Sequence, residues 1–186
     1  MRWTPRTLCT TLRGIRYLPL ALLASVALLL CAGSLAAQSP ADWKLVVTGD
    51  VPTPLTLSAS DLAAMPRERA EMADRHEEPG GGKATYEGVA LQEILKKAGI
   101  PFGKQMRGKS MAGYVLVGAR DGYQVVFSLG ELDPNLGKTR IIVADKRDGK
   151  GLLPYEAPIR LVLPGDGEPA RSVRMVEKLE VVMLRK

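Results

Sequence analysis

The arginines of the last third of the chain are the residues whose type and spacing could do chemistry. Arg160 stands inside an otherwise apolar stretch, Pro158-Ile159-Arg160-Leu161-Val162-Leu163, which runs into Pro164-Gly165-Asp166-Gly167. Arg171 and Arg174 follow in Ala170-Arg171-Ser172-Val173-Arg174. Guanidinium groups bind phosphate or carboxylate in bidentate fashion, so arginines at strand exits beside a glycine-rich loop have the composition of an anion pocket. Each also has a plain structural reading. Arg160 could project from the solvent face of a half-buried strand, because neighbours alternate sides. Arg171 and Arg174, three apart, could share one helical face, either solvated or aimed at a ligand; Arg174 is the stronger candidate of the two. Tyr123, just after Asp121-Gly122, either lines such a pocket or packs across strands.

Other chemistries are poorly supplied. His76 is the single histidine, which removes Ser/His/Asp triads and multi-histidine metal sites. Asp74, His76, Glu77 and Glu78 could form a weak oxygen-and-imidazole metal site, but a charge cluster beside Gly80-Gly81-Gly82 reads first as a solvated loop, and no metal site is assigned. The only cysteines are Cys9 and Cys31.

Both cysteines fall in the first 37 residues, which carry Arg2, Arg6, Arg13 and Arg16, no acid, and an apolar run from Leu18 to Leu30. That is the layout of a secretory signal peptide. Ser34-Leu35-Ala36 supplies a small-x-small cleavage pattern, so residues 1–36 are expected to be removed and 37–186 to form one domain. The alternative is a retained anchor, since Leu18 to Ala37 is about long enough to span a bilayer; Leu35-Ala36-Ala37-Gln38-Ser39-Pro40 favours cleavage. Leu30 before Cys31 argues against lipidation. Removing the four leader arginines takes the net charge from +6 to +2, with 22 basic residues against 20 acidic. The basicity is therefore mostly a targeting signal and no nucleic-acid partner is expected, nor a membrane once the leader is gone. The mature chain would have no disulfide and no thiolate, and a periplasmic or secreted location is expected.

Along the remaining chain the elements are short. Lys44 to Thr48 reads as a strand ended by Gly49-Asp50, followed by an extended path through Pro52 and Pro54. Ser58-Ala59-Ser60-Asp61 caps a short helix through Leu62 that Pro66 stops. Arg67 to Glu78 is charge-rich and poorly patterned. Lys83 to Glu87 is a strand. Leu91, Ile94, Leu95 and Ala98 share one face of the clearest helix, ended by Gly99 and Pro101. Gly113 to Ala119 and Tyr123 to Phe127 form a hairpin whose Asp121-Gly122 turn calls for positive φ at both central positions. Ile141 to Ala144 is a strand, Asp148-Gly149 turns the chain, and Ser128 to Leu132 makes one helical turn. Strands outnumber helices and only one helix is long enough for a crossover, so an α+β domain on mixed or antiparallel sheet is predicted over a doubly wound one.

Taken together, Val46-Val47-Thr48-Gly49-Asp50-Val51-Pro52, Tyr86-Glu87-Gly88-Val89-Ala90-Leu91, Asp121-Gly122-Tyr123, Pro158 to Gly165 and Ala170-Arg171-Ser172-Val173-Arg174 resemble the oxidoreductase molybdopterin-binding domain of the sulfite oxidase type. The resemblance runs from about Trp43 to Val182. It implies an α+β fold of mixed or antiparallel sheet with few short helices, and a molybdopterin pocket lined by backbone amides and basic side chains. It places Arg160 at the strand arginine that helps hold the cofactor phosphate, and Arg174 where the family usually has lysine. Tyr155 stands where sulfite-oxidising members often carry histidine. Catalytic members hold molybdenum through a cysteine between the first helix and the Gly-Val-x-Leu block; the matching stretch, Ala70 to Glu77, has none. Oxygen and nitrogen donors are harder ligands that would shift the metal's redox behaviour. Cofactor-loaded members usually leave by the twin-arginine route, and this leader has only Arg13-Gly14-Ile15-Arg16.

Three functional readings follow: an exported, cofactor-poor binding or accessory module with a pocket for a small anionic or pterin-like ligand; a molybdopterin oxidoreductase with non-cysteine ligation through Asp74 or His76; and a structural or interaction domain with a vestigial pocket. For the ligand pocket the expected residues are Arg160, Arg174, Tyr155, Tyr123 and Arg171.

Overall fold

A computed structural model describes residues 43–74, 82–137, 139–166 and 168–184. The leader, with both cysteines and the anchor alternative, lies outside the described residues, as do His76, Glu77 and Glu78. Among the described residues no helix is long and apolar enough to cross a membrane.

The chain builds two sheets. The first has the order β2-β1-β10-β5-β6, from β1 (Lys44–Gly49), β2 (Leu55–Ser58), β5 (Gly113–Ala119), β6 (Gln124–Ser128) and β10 (Val176–Met183). Only β1 and β10 run parallel in it; its other pairings are antiparallel. The second is antiparallel, β3 (Arg67–Asp74), β4 (Gly82–Ala90), β7 (Ile142–Arg147) and β8 (Lys150–Gly151), with β9 (Arg160–Val162) paired to β7. Two short helices, α1 (Ala59–Ala63) and α2 (Leu91–Lys97), complete the frame. This is the α+β architecture predicted.

Alternation in the first sheet turns Leu45, Val47, Val115, Val117, Leu179 and Val181 inward, where they meet Leu91, Ile94 and Leu95 of α2 in the main core. α1 starts as expected: the Ser58 side chain accepts the Asp61 N–H, and the Asp61 carboxylate accepts the Ser58 N–H. That reciprocal arrangement satisfies two otherwise orphaned donors; the Ser58 hydroxyl, donating to the Asp61 carboxylate at 2.6 Å, and next the Ser58 N–H hold that carboxyl below the usual range.

Three expectations are corrected. The charge-rich segment that begins at Arg67 is strand β3 as far as Asp74. Its charged edge is held by Arg67 to Asp145 and by Arg69 to Glu87, the latter at 3.2 Å, so ion pairs stand in for the β-branched residues that usually mark a strand. The β5–β6 turn is longer than two residues: the Ala119 N–H donates to the Tyr123 carbonyl at 2.9 Å, and only Gly122 has positive φ there. Asp148-Gly149 does make the two-residue turn, with φ of 49° and 76° between paired Arg147 and Lys150. Finally, Arg171 and Arg174 share no helical face, because only Pro169–Arg171 forms a 3-10 turn.

A second, smaller apolar cluster covers the other face of the antiparallel sheet and includes Tyr86, Ile142, Ala144 and Val162. The candidate site sits on this face. A register shift between Glu87 and Gly88 gives β7 one extra residue opposite β4, pairing Tyr86 with Arg147 and Gly88 with Ala144. Such a bulge re-aims side chains, and here it brings Ala144 and Arg147, three apart, to the same face.

Candidate ligand cavity

Strand pairing fixes the site's inner wall. Ala144 pairs with Arg160 and Tyr86 with Arg147, so β9, β4 and β7 carry two arginines and a tyrosine side by side. The β8–β9 loop adds Glu156 and the end of β3 adds Asp74. All five are buried. Arg160 Nη1 donates to Glu156 Oε1 and, at 3.1 Å, to the Tyr86 hydroxyl, which itself donates to the same Glu156 oxygen at 2.9 Å. Arg147 pairs with Asp74 and lies 3.6 Å from Glu156. Both guanidinium groups lie over the Tyr86 ring, Arg160 at 4.9 Å from its centroid and Arg147 at 5.9 Å. Unpaired charges at this depth would be very costly; two arginines against two carboxylates leave the wall neutral. Burial and the bond to Glu156, opposed by the neighbouring arginine charges, push the Tyr86 phenol up to about 12.

Outside this wall opens a cavity of about 370 Å³. Tyr155, Tyr123, Asp121 and Arg174 line it, with Ser172 and Met72. The Arg174 guanidinium lies 5.5 Å from the Tyr155 ring centroid. The Tyr123 hydroxyl donates to the Ala170 carbonyl at 2.8 Å, which ties the β5–β6 loop to the segment before Arg174. Ser172 Oγ lies 3.3 Å from Met72 Sδ.

The structure therefore brings together four of the five residues expected from sequence: Arg160, Arg174, Tyr155 and Tyr123 all line the cavity. Arg160 is not on a solvent face, and its charge is matched by Glu156 rather than left for a ligand. Arg171 is elsewhere. Its guanidinium is clasped by both oxygens of Asp166 at 2.9 and 2.8 Å, reaches Glu131 at 3.3 Å and lies over Phe127; the bonds to Asp166 raise its pKa. The glycine-rich loop thus serves to hold Arg171. Sequence reading missed Tyr86, Arg147 and Glu156. Tyr86 opens one of the blocks that carry the family resemblance and Glu156 stands four residues before Arg160, whereas Arg147 directly precedes the Asp148-Gly149 turn and no local signal marks it.

The donor set decides what the cavity can hold. Among the described residues no group of three His, Cys, Asp or Glu side chains is placed to take a metal ion, and the chain has no cysteine after Cys31. The sulfur at the cavity belongs to Met72, a neutral thioether already facing the Ser172 hydroxyl. Asp74 is engaged with Arg147. These residues do not fit a thiolate-held molybdenum centre. A phosphate or carboxylate meets one cation with no carboxylate partner among the described residues, Arg174.

The family model described as oxidoreductase molybdopterin binding domain matches residues 32–185. The uncharacterized oxidoreductase YuiH of Bacillus subtilis (strain 168) is 32% identical over 125 residues, covering 66% of this chain and 57% of that protein. The crystal structure of the sulfane dehydrogenase SoxCD from Paracoccus pantotrophus superposes with a TM-score of 0.59 at 21% identity, covering 77% of this chain and 39% of that one. The chain thus spans little more than half of the first relative and under half of the second, and the second likeness is one of fold.

Proposed function

We propose that this chain, which belongs to the oxidoreductase molybdopterin-binding domain family, works outside the cytoplasm as a binding or accessory module that takes a small anionic or pterin-like ligand without holding molybdenum. The observation that carries this reading is the division of charge in the cavity: the wall arginines are matched by Glu156 and Asp74, whereas Arg174 lines the cavity beside the Tyr155 ring with no carboxylate partner among the described residues. Arg174 would hold the anionic group as a charge-assisted pair, and Tyr155 and Tyr123 would flank a flat ring. Molybdopterin, when bound to a family member, supplies the metal's redox chemistry; the residues here offer the metal no thiolate. Export rests on the arginine-rich, acid-free leader with its apolar core and Ser34-Leu35-Ala36. The engagement of Asp74 by Arg147 weighs against an oxidoreductase that ligates metal through Asp74.

The test is thermal. Inorganic phosphate at ten times its Kd should stabilise the folded protein by about 1.4 kcal/mol, a rise in Tm of roughly 3 to 5 °C for a domain of this size. Arg174→Ala should abolish that rise and leave the Tm without phosphate nearly unchanged. No rise with any anion would favour a vestigial pocket. Molybdenum near one equivalent in protein from the exported fraction of its own host would overturn the cofactor-poor reading.

A further inference from the structure

Charge around the cavity divides into what is matched and what is left over. Asp74 and Glu156 are taken up by Arg147 and Arg160 in the wall. Two lining side chains remain, Arg174 and Asp121. Asp121 sits in the β5–β6 loop; its Oδ1 accepts the Tyr123 N–H at 3.0 Å, and its Oδ2 has no partner among the described residues. Neither forms an ion pair with the other or with any described residue. One small cavity thus presents an unmatched cation and an unmatched anion, with the rings of Tyr155 and Tyr123 beside them.

That pairing suits a ligand of both signs better than one of a single sign. A simple anion on Arg174 meets repulsion from Asp121, while a molecule carrying both signs satisfies each. We infer that the cavity is shaped for a small zwitterion, with a carboxylate or phosphate on Arg174 and an ammonium group on Asp121. The Tyr123 ring adds a cation–π surface for the ammonium. A volume of about 370 Å³ is near the lower end for ligand pockets and keeps the ligand small. The inference rests on the cavity being a ligand site and narrows the ligand's class.

Isosteric pairs isolate the ammonium's contribution. β-Alanine, 4-aminobutyrate and 5-aminovalerate are titrated beside the alkanoates in which a methyl replaces the ammonium: butyrate, valerate and hexanoate. At least one amino acid should bind with a Kd roughly three-fold or more below that of its alkanoate, the range expected for a single solvent-exposed ion pair. Asp121→Asn keeps the acceptor for the Tyr123 N–H and should erase the difference without weakening the alkanoate; Arg174→Ala should lose both. If phosphate binds the wild type through Arg174 yet no amino acid binds more tightly than its alkanoate, the zwitterion inference is overturned while the ligand site stands. If neither phosphate nor any carboxylate binds, both fall.

Discussion

Glu156 and Arg160 lie four residues apart in the chain and pair with each other inside the protein, the first 1% exposed and the second 5%. A buried pair of this kind returns little more than its desolvation costs, but removing one partner strands the other. Glu156→Ala should therefore destabilise by about 3–5 kcal/mol in urea unfolding, because it strips Arg160 and leaves the Tyr86 hydroxyl without its acceptor. Arg160→Ala should cost less, since Arg147 stands 3.6 Å from Glu156 and still faces the carboxylate. The double variant Glu156→Leu/Arg160→Met should cost well under the sum of the single losses. Strict additivity would mean that the two charges do not act as a pair.

Tyr86 links that pair to pH. Its phenol, ordinarily near 10.0, is raised to about 12 in the folded protein by burial first and the Glu156 bond next, against the pull of Arg160 and Arg147. A raised folded value means that the native state holds the proton more tightly. The associated stability is complete below pH 10 and is lost as the pH climbs through 12. Unfolding free energy should fall across that window by on the order of 2–3 kcal/mol more in the wild type than in Tyr86→Phe, read from urea midpoints at stepped pH. Parallel curves for the two proteins would show that the phenol is not held this way.

Much of this frame is legible in the sequence, and the gaps have physical causes. Periodic apolar faces disclose α2 and the β5–β6 pair, and the capping residues disclose α1, because those signals are local. Strand β3 stays hidden because Arg67, Arg69 and Glu71 are held by partners on other strands, and an ion pair across a sheet leaves no trace in one segment's composition. The cavity is half legible for the same reason. Arg160, Arg174, Tyr123 and Tyr155 stand out by type or by resemblance, whereas Glu156 and Arg147 gain their roles only when a bulge and a loop turn them onto the Tyr86 face. Arg171 misleads because its residue type suits a ligand, and only the position of Asp166 shows that it is already bound.

The bulge itself can be tested at Gly88. A Cβ there would run into the Val143 carbonyl oxygen and come within 2.5 Å of the Ala144 Cα, backbone atoms that cannot rotate aside. Gly88→Ala must push β4 from β7 and disturb the register that sets Tyr86 beside Arg147. The expected loss is about 3 kcal/mol or more, at or beyond the upper range for inserting one carbon into a packed interior, and amide exchange should quicken along β7. Gly151→Ala, on the neighbouring β8, is the control: nothing lies within 4 Å of its added Cβ, so its stability should stay within about 0.5 kcal/mol of wild type. Equal behaviour of the two variants would mean that β4 and β7 do not approach as closely at Gly88 as this register requires.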